Sequence, residues 1–266
     1  MPVSPVLQLN KVTVRYDNRA VVDSVDLSIE EGDILGIVGP NGAGKTTLFE
    51  AILGLQKYQG NINMFGYGPG KYETLIPLIG YVPQKIHFEP HFPASVYDVV
   101  SMGIISSRKV ARGQAMVEKT GYKWNQTYGK LKTEDKVAEC LKMTRIENIR
   151  DRRIGELSGG ELQRVFIAKS LVKDPLLMIL DEPVNSVDYE AQRRFYSVIM
   201  DINKENKITM VWSSHDLAAI ESYASKVACM NGKMYFHGTK KQFFADECIL
   251  KSYTEARMQM HMHRHD

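Results

Sequence analysis

Short apolar runs separated by polar turns dominate the first third of the chain. VLQL and KVTVRY predict two strands with a short turn between them. AVVDSVDLSI alternates in part between apolar and polar residues and predicts a further strand, which ends at the turn EEGD. The beginning of the chain is therefore predicted to be rich in β-structure.

Buried strands follow, together with a helix. ILGIVG is apolar throughout, as expected for a strand that is covered on both faces of a sheet. TTLFEAILGL repeats its apolar residues with a helical period, so the order here is strand, loop, helix. LIGYVPQ, LLMILDEP and KITMVWSSHD predict three more strands. This arrangement indicates an α/β core.

The remaining segments define the predicted domain organisation. KVACMNGKMYFHG predicts two strands joined by the turn MNGKM. Over about residues 91–160 the chain becomes polar, basic and compatible with helix, as in KTEDKVAECLKMTRIENI. We therefore predict one domain over residues 1–257, with a helical subdomain inserted at about 91–160. Residues 258–266 are rich in Met and His and are expected to form a disordered tail.

Length, charge and cysteine usage restrict the possible functions. The net charge of +3 over 266 residues is too small to indicate a nucleic-acid-binding protein. Cys140, Cys229 and Cys248 lack the CxxC spacing of zinc sites and indicate reduced thiols in a cytosolic protein. The N-terminal segment lacks the pattern of a signal peptide, and no apolar run approaches the ~18 residues that span a bilayer. A role at a membrane would therefore require a partner protein.

The segment GPNGAGKT fits the pattern GxxxxGK[ST] and lies between a buried strand and a helix. Its glycines let the backbone curl so that N–H groups point at a phosphate, and the following helix adds its positive end. Lys45 would contact the β- and γ-phosphates, and the Thr46 hydroxyl would bind Mg²⁺. The motif predicts a nucleoside triphosphate site formed by Gly39, Pro40, Asn41, Gly42, Ala43, Gly44, Lys45, Thr46 and Thr47.

Two acids end the strand segment LLMILDEP. Asp181 follows the apolar strand directly, at the end where a parallel sheet has its ligand crevice, and we expect it to join Thr46 in binding Mg²⁺. Glu182 is the next residue and points differently, so it is the candidate general base or water-orienting residue. The alternative is that the two acids only cap the end of the strand before Pro183.

A third motif, LSGGELQR, occupies residues 157–164. By itself it is a good capping box, with Ser158 as N-cap and Glu161 three residues later. Together with GPNGAGKT and LLMILDEP, however, it closely resembles the signature of ABC-type ATPases, over about residues 6–240. The resemblance implies an α/β P-loop NTPase core with an N-terminal antiparallel β subdomain and an inserted helical subdomain. It also implies ATP and Mg²⁺ as cofactors.

Four further residues take roles from this resemblance. Tyr16 matches the aromatic residue that stacks on adenine, and Gln84 matches the glutamine between core and helical insertion, which also binds Mg²⁺. Asp188 matches the loop acid after the acidic strand, and His215 matches the catalytic switch histidine. The alternatives are ordinary: Tyr16 as a strand aromatic, His215 as a surface or core histidine, and Gln84 as an unremarkable polar residue.

The resemblance also implies a head-to-tail dimer of the chain. In ABC ATPases, ATP lies between the glycine-rich loop of one subunit and the LSGGE segment of the other. The residues that complete the site in trans would be Ser158, Gly159, Gly160 and Glu161. Two features depart from the family pattern: Val184 stands where a small hydroxyl residue is usual, and the polar stretch over residues 121–135 extends the helical insertion as an expected exposed loop.

ABC ATPases without further domains mostly drive membrane transporters. The resemblance thus implies an integral-membrane permease as partner, a location at the cytoplasmic face of the cell membrane, and no nucleic-acid partner. Residues 84–103 would receive the coupling helix of that permease. FPASVYDVVSMG is similar to the ATPases of zinc and manganese importers, which work with an extracytoplasmic metal-binding protein. The alternatives are a cobalamin- or siderophore-type importer, or a soluble ABC ATPase of cofactor assembly.

The chain ends in MQMHMHRHD, in which histidines alternate with methionines. Both side chains can ligate transition metals. The tail is therefore either a polar end that does not fold, a cloning remnant, or a segment that binds zinc or a similar ion weakly and adjusts turnover.

Overall fold

The structure, a computed structural model, describes residues 4–85, 88–89, 91–104, 107–122, 131–184 and 188–246. These residues contain the β-strands β1 (Leu7–Tyr16), β2 (Arg19–Ile29), β3 (Ile34–Val38), β4 (Gln59–Met64), β5 (Ile79–Val82), β6 (Leu177–Leu180), β7 (Thr209–Ser214), β8 (Lys226–Asn231) and β9 (Lys233–Thr239).

The α-helices of the same residues are α1 (Lys45–Ile52), α2 (Tyr72–Leu75), α3 (Val96–Ser101), α4 (Ser107–Glu118), α5 (Thr133–Met143), α6 (Gly159–Leu171), α7 (Tyr189–Asn206), α8 (Leu217–Tyr223) and α9 (Lys240–Ala245). Short 3₁₀ helices occur at Pro69–Lys71, Ile76–Leu78, Glu147–Ile149 and Ile154–Glu156. The chain folds into two compact units, one built from Lys71–Met210 with Ser4, the other from Pro5–Gly70 and the described residues after Met210.

The unit that contains the N-terminal strands has an antiparallel sheet in the order β2-β1-β4. Its register places Leu7 opposite Ile29 of β2 and Met64 of β4. The predicted turn between VLQL and KVTVRY is wrong, because β1 continues through this segment. The strand register shifts between Leu9 and Val12, so the extra residues form a bulge that bends β1 without reversing it.

The same unit also contains the paired strands β3, β8 and β9. All five residues of β3 are buried, and β3 pairs in parallel with β8, which confirms the prediction of a strand covered on both faces. The two strands predicted in KVACMNGKMYFHG are also confirmed. They are β8 and β9, which pair antiparallel with Asn231 opposite Lys233 around Gly232, whose φ is 71°.

The other unit contains β5 and β6, which pair in parallel with Ile79 opposite Leu177. Every residue of β6 is buried, as its apolar sequence predicted. Helix α6 packs closely on β5, where the Ser170 hydroxyl donates to the carbonyl oxygen of Tyr81 at 3.0 Å. A Cβ added to Gly80 would lie 3.2 Å from the Cβ of Ser170, so this glycine permits the close contact.

Two predicted helices are shorter than their sequence patterns. In TTLFEAILGL, α1 ends at Ile52, and Gly54 adopts a φ of 71°, which turns the chain away. In KTEDKVAECLKMTRIENI, α5 ends at Met143 and a 3₁₀ helix follows at Glu147–Ile149. Arg145, at a φ of 56°, separates the two elements and interrupts the helical path.

Some predictions lie partly or wholly outside the described residues. The Met/His-rich tail is outside them, as is the segment 123–130 of the predicted polar loop. The predicted limits of the domain and of its helical subdomain stay predictions, although α3, α4 and α5 all fall within residues 91–160. Among the described helices we find no candidate membrane span.

Candidate functional site

Residues 39–44 form a glycine-rich loop between β3 and α1. Gly42 and Gly44 have φ angles of 82° and 90°, a left-handed conformation that glycine adopts without steric cost. A Cβ added to Gly44 would also lie only 2.7 Å from the carbonyl oxygen of Val21. The backbone therefore requires glycine here, as expected for a loop whose N–H groups surround a phosphate.

The glycine-rich loop rests against the turn between β8 and β9. The Gly232 N–H donates to the carbonyl oxygen of Ala43 at 2.9 Å, and the Gly232 carbonyl accepts from the Asp23 N–H at 2.8 Å. A Cβ added to Gly39 would lie 2.3 Å from the carbonyl oxygen of Met230. Backbone contacts therefore hold the loop in place without using the side chains of the motif.

The side chain of Lys45 folds back over this loop. Its Nζ donates to the carbonyl oxygens of Gly39 at 2.8 Å and Pro40 at 3.1 Å, and the residue is only 5% exposed. A buried ammonium group requires such acceptors. Thr46 and Thr47 follow in the first turn of α1 and are half-buried. The loop thus offers a positive charge, two hydroxyls and a helix N-terminus, a combination suited to phosphate.

Tyr16 lies at the end of β1, beside a tight hairpin turn. It pairs across the turn with Arg19, and the two turn residues, Asp17 and Asn18, have φ angles of 44° and 67°. The tyrosine is 41% exposed. An exposed ring of this kind is accessible for stacking on a purine. The predicted contact between Tyr16 and adenine stays a prediction.

His215 lies between β7 and α8, where the backbone on both sides is fixed. The Asp216 carboxylate accepts from the N–H groups of Ala218 at 2.9 Å and Ala219 at 3.2 Å. The Asp216 N–H donates to the hydroxyl oxygen of Ser214 at 3.0 Å. His215 itself is half-buried, and its catalytic role stays a prediction.

In the other unit, the two acids predicted for catalysis follow β6 directly. Asp181 is fully buried, and its N–H donates to the carbonyl oxygen of Val82 at 2.9 Å. Glu182 is 6% exposed and adopts a φ of 43°, a left-handed conformation that is unfavourable for a side chain of this type. The different roles predicted for the two carboxylates stay predictions.

The structure brings Gln84 to Glu182, two residues that are 98 positions apart in the sequence. The Gln84 Nε2 donates to the Glu182 Oε2 at 2.8 Å. This hydrogen bond fixes the orientation of a carboxylate that is otherwise mostly shielded from solvent. A fixed acceptor of this kind can hold a water molecule or take a proton from it.

Replacing Gln84 by alanine is expected to lower the kcat of ATP hydrolysis roughly tenfold, because the Glu182 carboxylate would lose the donor that orients it. The KM for ATP is expected to rise as well, because Gln84 is also a predicted ligand of the Mg²⁺ that accompanies ATP. Steady-state ATPase assays of the isolated chain would measure both parameters. Gln59→Ala, at an exposed position of β4, is the matched control. An unchanged kcat for Gln84→Ala would contradict the orienting role.

The LSGGE segment forms the N-terminus of α6 through a complete capping box. The Glu161 N–H donates to the Ser158 hydroxyl oxygen, while the Glu161 Oε2 accepts from the Ser158 N–H at 2.8 Å and from its hydroxyl at 2.7 Å. The structure thus confirms the capping box that the sequence predicted. Ser158 and Gly159 are exposed at the start of this helix.

Glu161 is ionised more readily than an ordinary glutamic acid. Burial by itself would raise the pKa of its carboxyl group, but the hydrogen bonds from Ser158 and the positive charges of Arg152 and Arg164 outweigh burial and lower the pKa. The carboxylate therefore stays charged at neutral pH and keeps its hydrogen bonds to Ser158.

Gly160 and Asp188 both lie close to Ala191 in the first turn of α7. A Cβ added to Gly160 would lie 3.3 Å from the Cβ of Ala191, and the Asp188 carboxylate caps α7 by accepting from the Ala191 N–H at 2.8 Å. Val184, the departure from the family pattern, is buried, and its carbonyl oxygen accepts from Gln192 Nε2 at 3.4 Å. Residues 185–187 lie outside the described residues.

Sequence reasoning missed Arg152, whose Nη1 lies 3.2 Å from the Glu161 Oε1. The arginine precedes the motif in an irregular segment, where no periodic pattern predicts which side chain will reach α6. A basic residue near an acidic cap was the only available signal, and it applied equally to Arg150 and Arg153.

The residues predicted to bind Mg²⁺ have suitable chemistry. They offer a hydroxyl oxygen from Thr46, an amide oxygen from Gln84 and a carboxylate from Asp181, and Mg²⁺ prefers oxygen ligands of this kind. Within the described residues, no group of three or more His, Cys, Asp or Glu side chains forms a site for a softer metal. The donor set therefore fits Mg²⁺.

Comparison with known proteins gives consistent results. The ABC transporter family profile matches residues 22–185. The zinc uptake system ATP-binding protein ZurA of Listeria innocua is 34% identical over 245 residues, which cover 91% of this chain and 88% of that protein. The manganese transport system ATP-binding protein MntB of Halalkalibacterium halodurans is 32% identical over 253 residues, 94% of this chain and 93% of that protein.

A solved structure agrees over the whole length. The structure of cbiO1 from Clostridium perfringens, part of the ABC transporter complex cbiONQ, has a TM-score of 0.74 and 27% sequence identity, and 98% of each chain is covered. The predicted α/β P-loop fold of the ABC type is thereby confirmed. The chain belongs to the ABC transporter family of ATP-binding subunits, which bind and hydrolyse ATP.

Proposed function

We propose that this chain is the ATP-hydrolysing subunit of an importer of divalent metal ions, with zinc or manganese as the transported ion. The observation that carries the proposal is the 34% identity to a zinc uptake ATP-binding protein over 91% of the chain. The similarity to a manganese transport protein over 94% of the chain supports the same class of substrate. The ion itself would be selected by other subunits, because the metal is cargo and not a ligand of the nucleotide site.

In this proposal the glycine-rich loop (residues 39–44) and the first turn of α1 bind the phosphates of ATP. The backbone N–H groups of the loop and the start of α1 surround the phosphate oxygens, and Lys45 turns its ammonium group from the carbonyl oxygens of Gly39 and Pro40 to the β- and γ-phosphates. Tyr16 stacks on the adenine. Mg²⁺, when bound by Thr46, Gln84 and Asp181, would neutralise phosphate charge and favour attack by water.

Glu182 acts on the attacking water in this proposal. Its carboxylate is buried and oriented by the Gln84 amide, so it can accept a hydrogen bond from the water and a proton as the water attacks. His215, at the end of β7, is proposed to contact the γ-phosphate, and Asp188 to hold the loop after Glu182. Each role follows from the family resemblance and from the position of the residue in its own unit.

The active unit is proposed to be a dimer of this chain with ATP bound between the two copies. Ser158, Gly159, Gly160 and Glu161 of one copy would complete the site formed by the phosphate-binding loop of the other. The exposed start of α6 supports this, since the N-terminus of a helix favours a phosphate group, here that of a nucleotide held by a second molecule. ATP hydrolysis would then remove the charge that holds the dimer together and reset the transporter.

A membrane permease is the proposed partner, which places the chain at the cytoplasmic face of the membrane. Its docking surface is proposed to lie within residues 84–103. There the Phe88 and Phe92 rings are 5.2 Å apart, the Phe88 and Phe166 rings are 6.0 Å apart, and Met102 is 62% exposed. Apolar and aromatic side chains of this kind are typical of the anchors in protein interfaces.

The test is transport by the complete system. The chain would be co-expressed with a candidate permease and an extracytoplasmic metal-binding protein from the same organism, and the purified complex would be reconstituted into lipid vesicles. We expect ATP-dependent uptake of zinc or manganese that requires the metal-loaded binding protein. Uptake of cobalamin or a siderophore in place of metal ions, or purification of the chain without any membrane protein, would refute the proposal.

A further inference from the structure

An ion pair between Arg152 and Glu161 connects the capping box of α6 to the segment that precedes this helix. The Glu161 Oε2 accepts two hydrogen bonds from Ser158, one from the N–H at 2.8 Å and one from the hydroxyl at 2.7 Å. The other oxygen, Oε1, accepts from Arg152 Nη1 at 3.2 Å. Both oxygens of the carboxylate are therefore in use, one by the serine and one by the arginine.

The use of separate Glu161 oxygens by Ser158 and Arg152 becomes important when the Ser158 hydroxyl binds a phosphate. To donate to a phosphate oxygen, the Ser158 hydroxyl must turn away from Glu161, which removes one of the hydrogen bonds that hold the carboxylate. The Ser158 N–H and the Arg152 guanidinium remain on opposite oxygens of the carboxylate. Arg152 thus keeps Glu161 in position, and Glu161 keeps the Ser158 backbone in position, while the hydroxyl is engaged elsewhere.

Arg152 is itself held at both its side chain and its backbone. Its Nη2 donates to the carbonyl oxygen of Glu156 at 2.8 Å, so the guanidinium bridges two acceptors. Its backbone N–H donates to the Ile149 carbonyl at 3.0 Å, and its carbonyl oxygen accepts from the Val96 N–H at 3.0 Å. A planar guanidinium with several donors suits this bridging geometry, whereas a lysine ammonium does not reproduce it.

The neighbours of Arg152 bind the start of α3 as well. The Tyr97 N–H donates to the Arg150 carbonyl at 2.9 Å, and the Ile154 N–H donates to the Ala94 carbonyl at 3.0 Å. The Arg150 guanidinium also lies 4.5 Å from the centre of the Tyr97 ring. The segment around Arg152 is therefore fixed to the beginning of α3 by main-chain hydrogen bonds on both sides of the arginine.

We infer that Arg152 is a positioning residue for ATP-driven dimerisation, acting through Glu161 to hold Ser158 in the geometry that binds the nucleotide of a second copy. This inference rests on the proposed function, in which Ser158 completes the site in trans. Through its carbonyl oxygen the same arginine also accepts a hydrogen bond from the Val96 N–H at the start of α3.

Because the Arg152 side chain is partly exposed, an effect of its substitution on dimerisation can be distinguished from an effect on folding. Its side chain is 43% exposed, and exposed ion pairs contribute little to folding stability. Arg152→Ala is therefore expected to fold normally. Arg153→Ala is the matched control, because Arg153 is the adjacent exposed arginine and its side chain forms no hydrogen bond or ion pair with the described part of the chain.

The experiment measures dimerisation in the full-length Glu182→Gln chain, which is expected to bind ATP without hydrolysing it. Gel filtration with light scattering would follow dimer formation with ATP and Mg²⁺ over a range of protein concentrations. We expect Arg152→Ala to weaken dimerisation roughly tenfold, Arg152→Lys to restore it in part, and Arg153→Ala to leave it unchanged. Glu161→Gln should cause a smaller loss when added to Arg152→Ala than when made alone, since the two residues share one contact.

Binding of a fluorescent ATP analogue at protein concentrations too low for dimerisation should be the same in all variants, since Arg152 lies outside the phosphate-binding loop. If Arg152→Ala dimerises as well as Arg153→Ala, or loses analogue binding to the same extent as dimerisation, the inference is wrong while the proposed function stands. If the Glu182→Gln parent remains a monomer with ATP, the proposed dimer is wrong and the inference falls with it.

Discussion

Glu182→Gln is expected to lower the kcat of ATP hydrolysis by about a thousandfold or more while leaving ATP binding intact. Glutamine has the same size and can still accept the hydrogen bond from Gln84 Nε2, which spans 2.8 Å in the unsubstituted protein. An amide cannot accept a proton from the attacking water, however. ATP would therefore bind and remain uncleaved, and the proposed dimer would persist for as long as ATP is present.

Two measurements test this expectation. Steady-state ATPase assays would give the loss of turnover, and gel filtration with ATP and Mg²⁺ would show whether a dimer accumulates. Glu190→Gln is the control, since Glu190 is exposed on α7 and pairs only with Arg194 one turn away among the described residues. A chain that elutes as a monomer under these conditions would count heavily against the proposed dimer.

Lys45→Ala is expected to weaken ATP binding by a factor of about one hundred or more, because it removes the charge that faces the β- and γ-phosphates. The substitution also removes the hydrogen bonds that the Lys45 ammonium group donates to the carbonyl oxygens of Gly39 and Pro40. Loss of these contacts is expected to lower the free energy of unfolding by about 1 kcal/mol. The nucleotide effect should therefore greatly exceed the stability effect.

Equilibrium binding of a fluorescent ATP analogue and chemical unfolding would measure the two effects separately. Lys57→Ala is the matched control, because Lys57 lies in the same unit and is exposed. If ATP binding and folding stability both change as little in Lys45→Ala as in the control, the loop 39–47 is not the phosphate site.

Structural features were predicted most accurately from the sequence where a short motif determines both the backbone geometry and the side-chain contacts. The glycines of GPNGAGKT were identified from the spacing of the motif, and the left-handed φ and the nearby carbonyl oxygen at Gly44 explain why glycine is required there. The LSGGE capping box was predicted because its contacts lie within four residues. Local hydrogen bonds of this kind are encoded in the spacing of the residues themselves.

Prediction was weaker where distant contacts decide the structure. The turn expected after VLQL is a bulge in a continuous strand, because pairing with β2 and β4 on both sides keeps β1 extended. The Gln84–Glu182 hydrogen bond joins residues 98 positions apart, and the Arg152–Glu161 ion pair depends on the path of an irregular segment. No local periodicity encodes either contact.

The left-handed backbone at Glu182 has a consequence for selection. A glutamate at a φ of 43°, with its carboxylate almost fully shielded, costs the fold on the order of 1 kcal/mol in conformational energy alone. A library randomised at this position and selected only for thermal stability should therefore enrich glycine or asparagine. Selection for ATP turnover should retain glutamate, so position 182 is one at which stability and activity oppose each other.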